Sequence, residues 1–274
     1  MSAVLTQALL SLLGGGIVGF TLGLIGGGGS ILATPLMLYV VGLTPHTAIG
    51  TSALAVSANA FANFAGHARK GNVRWGSAIL FAVFGMVGAA VGSTLGKIMH
   101  GRQLLFLFAI LMIVVGALML RPRKSPNTSV LADEKVEERP DAMRGRSMLP
   151  VVPAALLVGG LSGFFGIGGG FLIVPGLLVS TGMPMILAIG SSLLSVGTFG
   201  LTTAINYAFS GLVHWLVAAE FVAGGILGGA LGMRLAIRLS PRRTALNRIF
   251  AGLVFVVALY MLYKNAPVAI GGRL

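Results

Sequence analysis

Slid along itself by 140 residues, this sequence matches itself, so whatever it folds into is built twice. Gly23 to Pro35, GLIGGGGSILATP, falls on Gly163 to Pro175, GFFGIGGGFLIVP, with Gly23, Gly26, Gly28, Gly29, Leu32 and Pro35 all matched. AIGTSALAV from Ala48 meets AIGSSLLSV from Ala188, GNVRW from Gly71 meets GLVHW from Gly211, and the register persists through Phe81 and Phe221. Agreement this dense at one offset over about 75 positions marks a tandem duplication rather than shared composition. The two copies are residues 1–120 and 151–274. Residues 121–150 between them hold five of the six acids, seven of the nineteen bases and Pro122, Pro126 and Pro140, the composition of a solvated linker.

Outside that linker the chain is close to charge-free. Over its whole length 56% of residues are hydrophobic and 9% charged, where a soluble domain carries about 25% charge. That gap excludes a soluble enzyme. Each copy holds four apolar segments, at 3–42, 47–66, 75–96 and 103–120, then at 151–182, 187–209, 215–235 and 248–264. A membrane span needs about 20 residues, so the expected fold is an all-α polytopic membrane protein of two four-segment halves with the lipid bilayer as its solvent. The net charge of +13 comes from bases at segment ends, which fits the positive-inside rule and not nucleic-acid binding. The absence of cysteine removes disulfides, thiolate metal sites and thiol relays. With no basic stretch before residues 3–25, that segment is expected to be retained rather than cleaved.

The first segment of each copy is too long for one simple span and is broken by Gly26, Gly28 and Gly29 (with Gly27), and by Gly166, Gly168, Gly169 and Gly170. Each is expected to form a pair of short half-helices. If each broken segment crosses once, the halves are parallel and the bases divide 12 to 7 across the membrane; if it enters and returns, the halves are inverted and the division is 15 to 4. The second arrangement is the expectation, with the linker on the cytoplasmic side. Unwound backbone at membrane depth survives only inside protein or against a watery cavity. After each break a half-helix is expected to start, at an N-cap Ser30 and near Gly170 or Phe171, presenting free amides to an anion. The ladders Gly88, Gly92, Gly96 and Gly224, Gly228, Gly232 read as helix packing. Gly14, Gly16 and Gly19 spell a dinucleotide fingerprint without its strand or its acid, and no Walker A sequence occurs.

Polar residues within spans mark function or helix ties. Thr51 and Ser52 stand opposite Ser191 and Ser192 in the duplication, where paired hydroxyls can hydrogen-bond oxyanion oxygens. Asn59 and Asn63 share one helix face, and Asn206 closes the partner helix; these amides line the path or tie helices together. His46, His67 and His214 fall at span ends. Glu220, the one acid outside the linker, is a candidate for carrying a coupling proton or for pairing with His214.

The combination of two homologous halves and a GxGGGxLxxP element opening each resembles the TauE/SafE family of sulfite and organosulfonate exporters. Gly166, Gly168, Gly169, Gly170, Leu172 and Pro175 match that element; Gly26, Gly28, Gly29, Ile31, Leu32 and Pro35 match it with Ser30 in place of one glycine. The resemblance implies transport of small sulfur-containing anions across a bacterial cytoplasmic membrane, with no cofactor and no catalysis. The expected substrate-binding set is Gly26, Gly28, Gly29, Ser30, Thr51, Ser52, Asn59, Gly166, Gly168, Gly169, Gly170, Ser191 and Ser192. The alternatives are proton-coupled uptake through Glu220, an intramembrane enzyme and a membrane scaffold. An enzyme pairing Ser52 with His67 fails on geometry, since about four helical turns separate them.

Overall fold

A computed structural model of the protein describes residues 2–25, 27–120, 151–166, 170–181, 183, 185–238 and 243–270; the linker 121–150 and the candidates Gly26, Gly168 and Gly169 lie outside the described residues. Among the described residues every element is helical. The first copy forms α1 (Ser2–Ile25), a 3-10 turn (Gly27–Leu32), α2 (Ala33–Tyr39), α3 (Pro45–Arg69), α4 (Trp75–Ile98) and α5 (Gly101–Leu120). The second forms α6 (Val151–Phe165), α7 (Gly170–Thr181), α8 (Met185–Ala208), α9 (Trp215–Arg238) and α10 (Arg243–Ile270). Pro45 opens α3 at its first turn, where a missing N–H is harmless. Gly71 and Gly211, at equivalent places after α3 and α8, take φ of +71° and +68° and so turn the chain toward α4 and α9.

Each broken segment folds back on itself. Gly29 packs against Thr21 and Leu22, and Leu36 lies beside Gly14, so the 3-10 turn and α2 run back along α1. Val158 and Gly176 bring α6 and α7 together in the same sense. One expectation needs correction. Helix α1 is no half-helix but has 24 residues, about 36 Å at 1.5 Å per residue. Its internal glycines do not break it because they are a contact face: Gly15 meets Phe221, Gly19 meets Gly225 and Gly23 meets Gly229 on α9.

The two copies interlock. The opening helix of each packs along the α4-type helix of the other, α1 on α9 and α6 on α4, where Gly159 meets Gly85 and Gly163 meets Ala89. Residue numbers rise together along both seams, so both pairs are parallel. Backbone approaches this close are what glycine permits in a membrane, where packing rather than hydrophobic burial drives association. The glycine ladders do serve packing: Gly92 rests on Gly160, Gly96 on Phe164, Gly228 on Gly16 and Gly232 on Phe20. At the centre α3 lies against α8. Gly50 meets Tyr207 and Leu212, Ser57 Oγ donates to the Gly197 carbonyl at 2.7 Å, and Phe61 covers Gly197. Here one number rises as the other falls, so α3 and α8 are antiparallel.

Among the described residues four helices are long and apolar enough to cross a membrane, at Leu5–Leu24, Trp75–Ile98, Leu187–Ala208 and Trp215–Leu235. The outer face of α4 carries Ile79, Val83, Val87, Val91 and Leu95, and that of α9 carries Leu216, Leu227 and Leu231, all exposed. Apolar stripes of this extent require lipid. Trp75 and Trp215, equivalent in the two copies and both exposed, begin α4 and α9, the position of interfacial aromatic anchors. Helix α3 has 25 residues but is diluted by serine, threonine, asparagine and histidine.

Candidate functional site

Among the described residues most buried polar side chains lie on α3, α8, the 3-10 turn and the start of α2. Ser52 Oγ lies 2.9 Å from Thr34 Oγ1 of α2, 3.0 Å from the Ile49 carbonyl and 3.5 Å from the Gly166 carbonyl. With one proton the serine donates to one carbonyl at a time. A hydroxyl of the first copy thus reaches the break of the second. Gly166 has φ of +65°, and the Ile49 side chain occupies the place a Cβ would take. Only glycine fits there. Its counterpart in the first copy, Gly26, lies outside the described residues, as do Gly168 and Gly169.

Ser192 donates to the Ile189 carbonyl at 2.8 Å, mirroring the Ser52 bond to Ile49. Thr51 and Ser191 mirror one another too. Thr51 Oγ1 accepts from the His214 N–H at 3.0 Å and Ser191 Oγ from the Arg74 N–H at 2.9 Å. Each hydroxyl therefore fixes the chain that leads into the other copy's helix, α9 or α4. All four hydroxyl residues are fully buried.

Ser30 is also fully buried but is not an N-cap. Residues 27–32 wind as a 3-10 turn, so the α-helical start moves to Ala33, with Leu32 at the cap position and no side-chain cap bond. Gly28 and Gly29 are part of that turn, and Gly29 is pressed onto α1. In the second copy α7 begins at Gly170, where the sequence pointed.

The amides divide by role. Asn206 donates to Ser93 Oγ at 2.6 Å and Thr94 Oγ1 at 3.0 Å, and its Oδ1 accepts from Lys97 Nζ at 2.7 Å. Lys97 Nζ also donates to the Asn206 carbonyl and to Ser210 Oγ. This is a tie between α4 and α8. Asn63 donates to the Asn59 carbonyl at 2.8 Å. Asn59 is 1% exposed, and among the described residues neither Oδ1 nor Nδ2 has a partner. His46 Nε2 sits 3.1 Å from the Met99 carbonyl, a tie between α3 and the end of α4. Glu220 is half-buried and makes no ion pair among the described residues; His214 Nδ1 instead accepts from the Val217 N–H at 3.4 Å. Among the described residues no group of three metal-ligating side chains occurs.

The helices thus interlock through glycine seams around buried polar groups. The family model for sulfite exporter TauE/SafE matches residues 11–261. The chain belongs to the TauE/SafE family. It is a membrane transporter. It is 54% identical to "Probable membrane transporter protein" of Xylella fastidiosa (strain 9a5c), over 94% of this chain and 97% of that one. It is 26% identical to "Probable membrane transporter protein YunE" of Bacillus subtilis (strain 168), over 76% of this chain and 81% of that relative. A relative of the same description in Methanocaldococcus jannaschii is 27% identical over 74% and 71%. No solved structure matches the chain.

Sequence reasoning missed three members of this TauE/SafE interior. Thr34, the partner of Ser52, stands where the second copy has Val174, so the duplication carried no signal for it. Phe81 and Phe199, stacked with centroids 6.2 Å apart, read as ordinary apolar residues.

Proposed function

We propose that this protein is a secondary transporter that exports a small sulfur-containing oxyanion, such as sulfite or an organosulfonate, across a bacterial cytoplasmic membrane. The two halves are inverted repeats that alternate access to one central site. The observation that carries this reading is the antiparallel contact of α3 with α8: two homologous helices that cross the bilayer in opposite directions are related by an axis in the membrane plane. The fold-back of α2 on α1 and α7 on α6 supports it, since the fold-back reverses the orientation of the second half. With that topology fifteen of the nineteen bases share the face of the 70–74 loop and the linker, which the positive-inside rule makes cytoplasmic.

The anion is held where the breaks meet α3 and α8, by backbone amides around Gly26, Gly28, Gly29 and Ser30 and around Gly166, Gly168, Gly169 and Gly170, and by Thr51, Ser52, Asn59, Ser191 and Ser192. Amide and hydroxyl donors suit an anion that must be released again, because they bind it without a permanent counter-charge. An inside-negative potential of about 100 mV drives each exported negative charge with roughly 2.3 kcal/mol, so export needs no coupled ion.

The test is flux of radiolabelled sulfite, thiosulfate and sulfonates in proteoliposomes under an imposed potential. Saturable sulfite or sulfonate flux that follows the potential is expected, and Glu220→Gln is expected to retain it. Flux no faster than in empty vesicles for every sulfur anion would refute the substrate class. Loss of concentrative uptake in Glu220→Gln, with export unmeasurable, would favour the proton-coupled importer.

A further inference from the structure

The duplication exposes an asymmetry at the centre of the protein. At the 140-residue offset, Asn59, Asn63 and His67 of α3 correspond to Phe199, Thr203 and Tyr207 of α8. The three α3 residues recur every fourth position and therefore line one face. That face meets α9: a side chain at Gly225 would overlap the Asn59 amide, and one at Gly229 would come within 3.3 Å of Asn63 Nδ2. The matching surface of α8 meets α4, where the Phe199 ring covers Gly85 and stacks on Phe81. One helix seam carries amides and an imidazole, the other two stacked aromatic rings.

Buried polar groups ordinarily find partners. Along the α3 face both side-chain atoms of Asn59 and Nδ1 of His67 are buried without a hydrogen bond among the described residues; on the α8 face Thr203 Oγ1 and Tyr207 Oη are too, so the two faces differ at Asn59 against Phe199. An amide left so in a membrane protein is retained when water or a ligand satisfies it in some state of the cycle. The column leads from Asn59, in the middle of α3, to Arg69, Lys70 and Arg74 at its end, a basic rim that concentrates anions.

We propose that the α3–α9 passage is the hydrated approach to the substrate site, that Asn59 donates its amide N–H groups to the oxyanion there, and that Phe199 with Phe81 closes the opposite, α4–α8 passage. This rests on the transporter reading above. It adds a direction of approach and a specific donor, and makes the two halves functionally unequal.

The natural chain has no cysteine, so single substitutions provide the only thiol. Asn63→Cys and His67→Cys probe one passage, Thr203→Cys and Tyr207→Cys the other, and Asn72→Cys and Ser210→Cys report the two faces. A membrane-impermeant methanethiosulfonate reagent is applied to each face of vesicles holding monodisperse, full-length protein. Burial in apolar surroundings raises a thiol's pKa, and each unit lowers its reactive thiolate fraction about tenfold. Asn63→Cys and His67→Cys are expected to react from the face that labels Asn72→Cys, at least about tenfold faster than Thr203→Cys and Tyr207→Cys react from either face. Saturating sulfite is expected to slow them.

Equal, slow labelling of both pairs would overturn the proposal even if sulfite is transported, leaving the function intact. Fast labelling of the α3 pair that no transported anion slows would overturn the donor role of Asn59. Labelling as expected without transport of any sulfur anion would instead remove the substrate class and keep the passage.

Discussion

Gly166 offers the sharpest test of how the break is built. Its φ of +65° is left-handed backbone, which costs a residue with a Cβ roughly 1–2 kcal/mol. The Cβ would also overlap Ile49 Cγ2, and overpacking a tight interior costs about 1–3 kcal/mol. Gly166→Ala is therefore expected to destabilise the protein by about 2–5 kcal/mol. Gly211→Ala is the control, because φ there is +68° and an added methyl would meet nothing within 4 Å. It carries the backbone cost alone, partly offset by about 0.4–1 kcal/mol from a less flexible unfolded chain. Unfolding by sodium dodecyl sulfate in mixed micelles, followed through Trp75 and Trp215, measures the difference. Ile49→Leu, which lacks the Cγ2 atom at similar volume, should recover about 1 kcal/mol or more in the double variant. A Gly166→Ala protein as stable as Gly211→Ala, or strictly additive behaviour with Ile49→Leu, would refute the argument that Ile49 fills the space beside the break.

The remaining predictions concern the polar interior and the topology. Asn59→Leu is expected to unfold no more easily than the natural protein, since it removes an unpaired amide worth about 1–3 kcal/mol of desolvation, while sulfite flux falls; a destabilised Asn59→Leu would make the amide structural. Lys97→Met should lower stability by roughly 1.5–3 kcal/mol, the worth of bonds to a charged donor, with unchanged flux under conditions where the protein stays folded. Gly19→Val should abolish recovery of folded protein from detergent, because a β-branched side chain cannot fit against Gly225; normal gel-filtration recovery would contradict the α1–α9 seam. Cysteines placed singly at Asn72 and Leu212 should label from opposite faces of the membrane, and labelling from one face would rule out inverted halves.

Much of the architecture was legible because a membrane imposes few solutions. The helices and their approximate limits follow from apolar length, and the duplication supplied each boundary twice. The length of α1 was not legible, since glycines in a sequence mark a break or a contact face equally well, and only the neighbour decides. Gly15, Gly19 and Gly23 are a face because α9 lies against them. Ser30 failed as a cap for a related reason: four small residues in succession allow a 3-10 turn as readily as a loop, and packing onto Thr21 and Leu22 selected the turn. The hydroxyls stand out in the sequence as equivalent pairs, but that Thr51 and Ser191 grip the chain before α9 and α4 depends on which helix the other copy brings near.

By itself the sequence determined that the chain is duplicated, helical and lipid-embedded, because periodic apolar length and a constant offset are local or self-referential properties. The tertiary structure alone decided which glycines touch backbone, that α3 and α8 run in opposite senses, and that the Asn59 amide sits against Gly225 while Phe199 fills the equivalent space. Those facts depend on contacts between residues far apart in the chain, and a pattern of residue types along one stretch of sequence does not specify its partner.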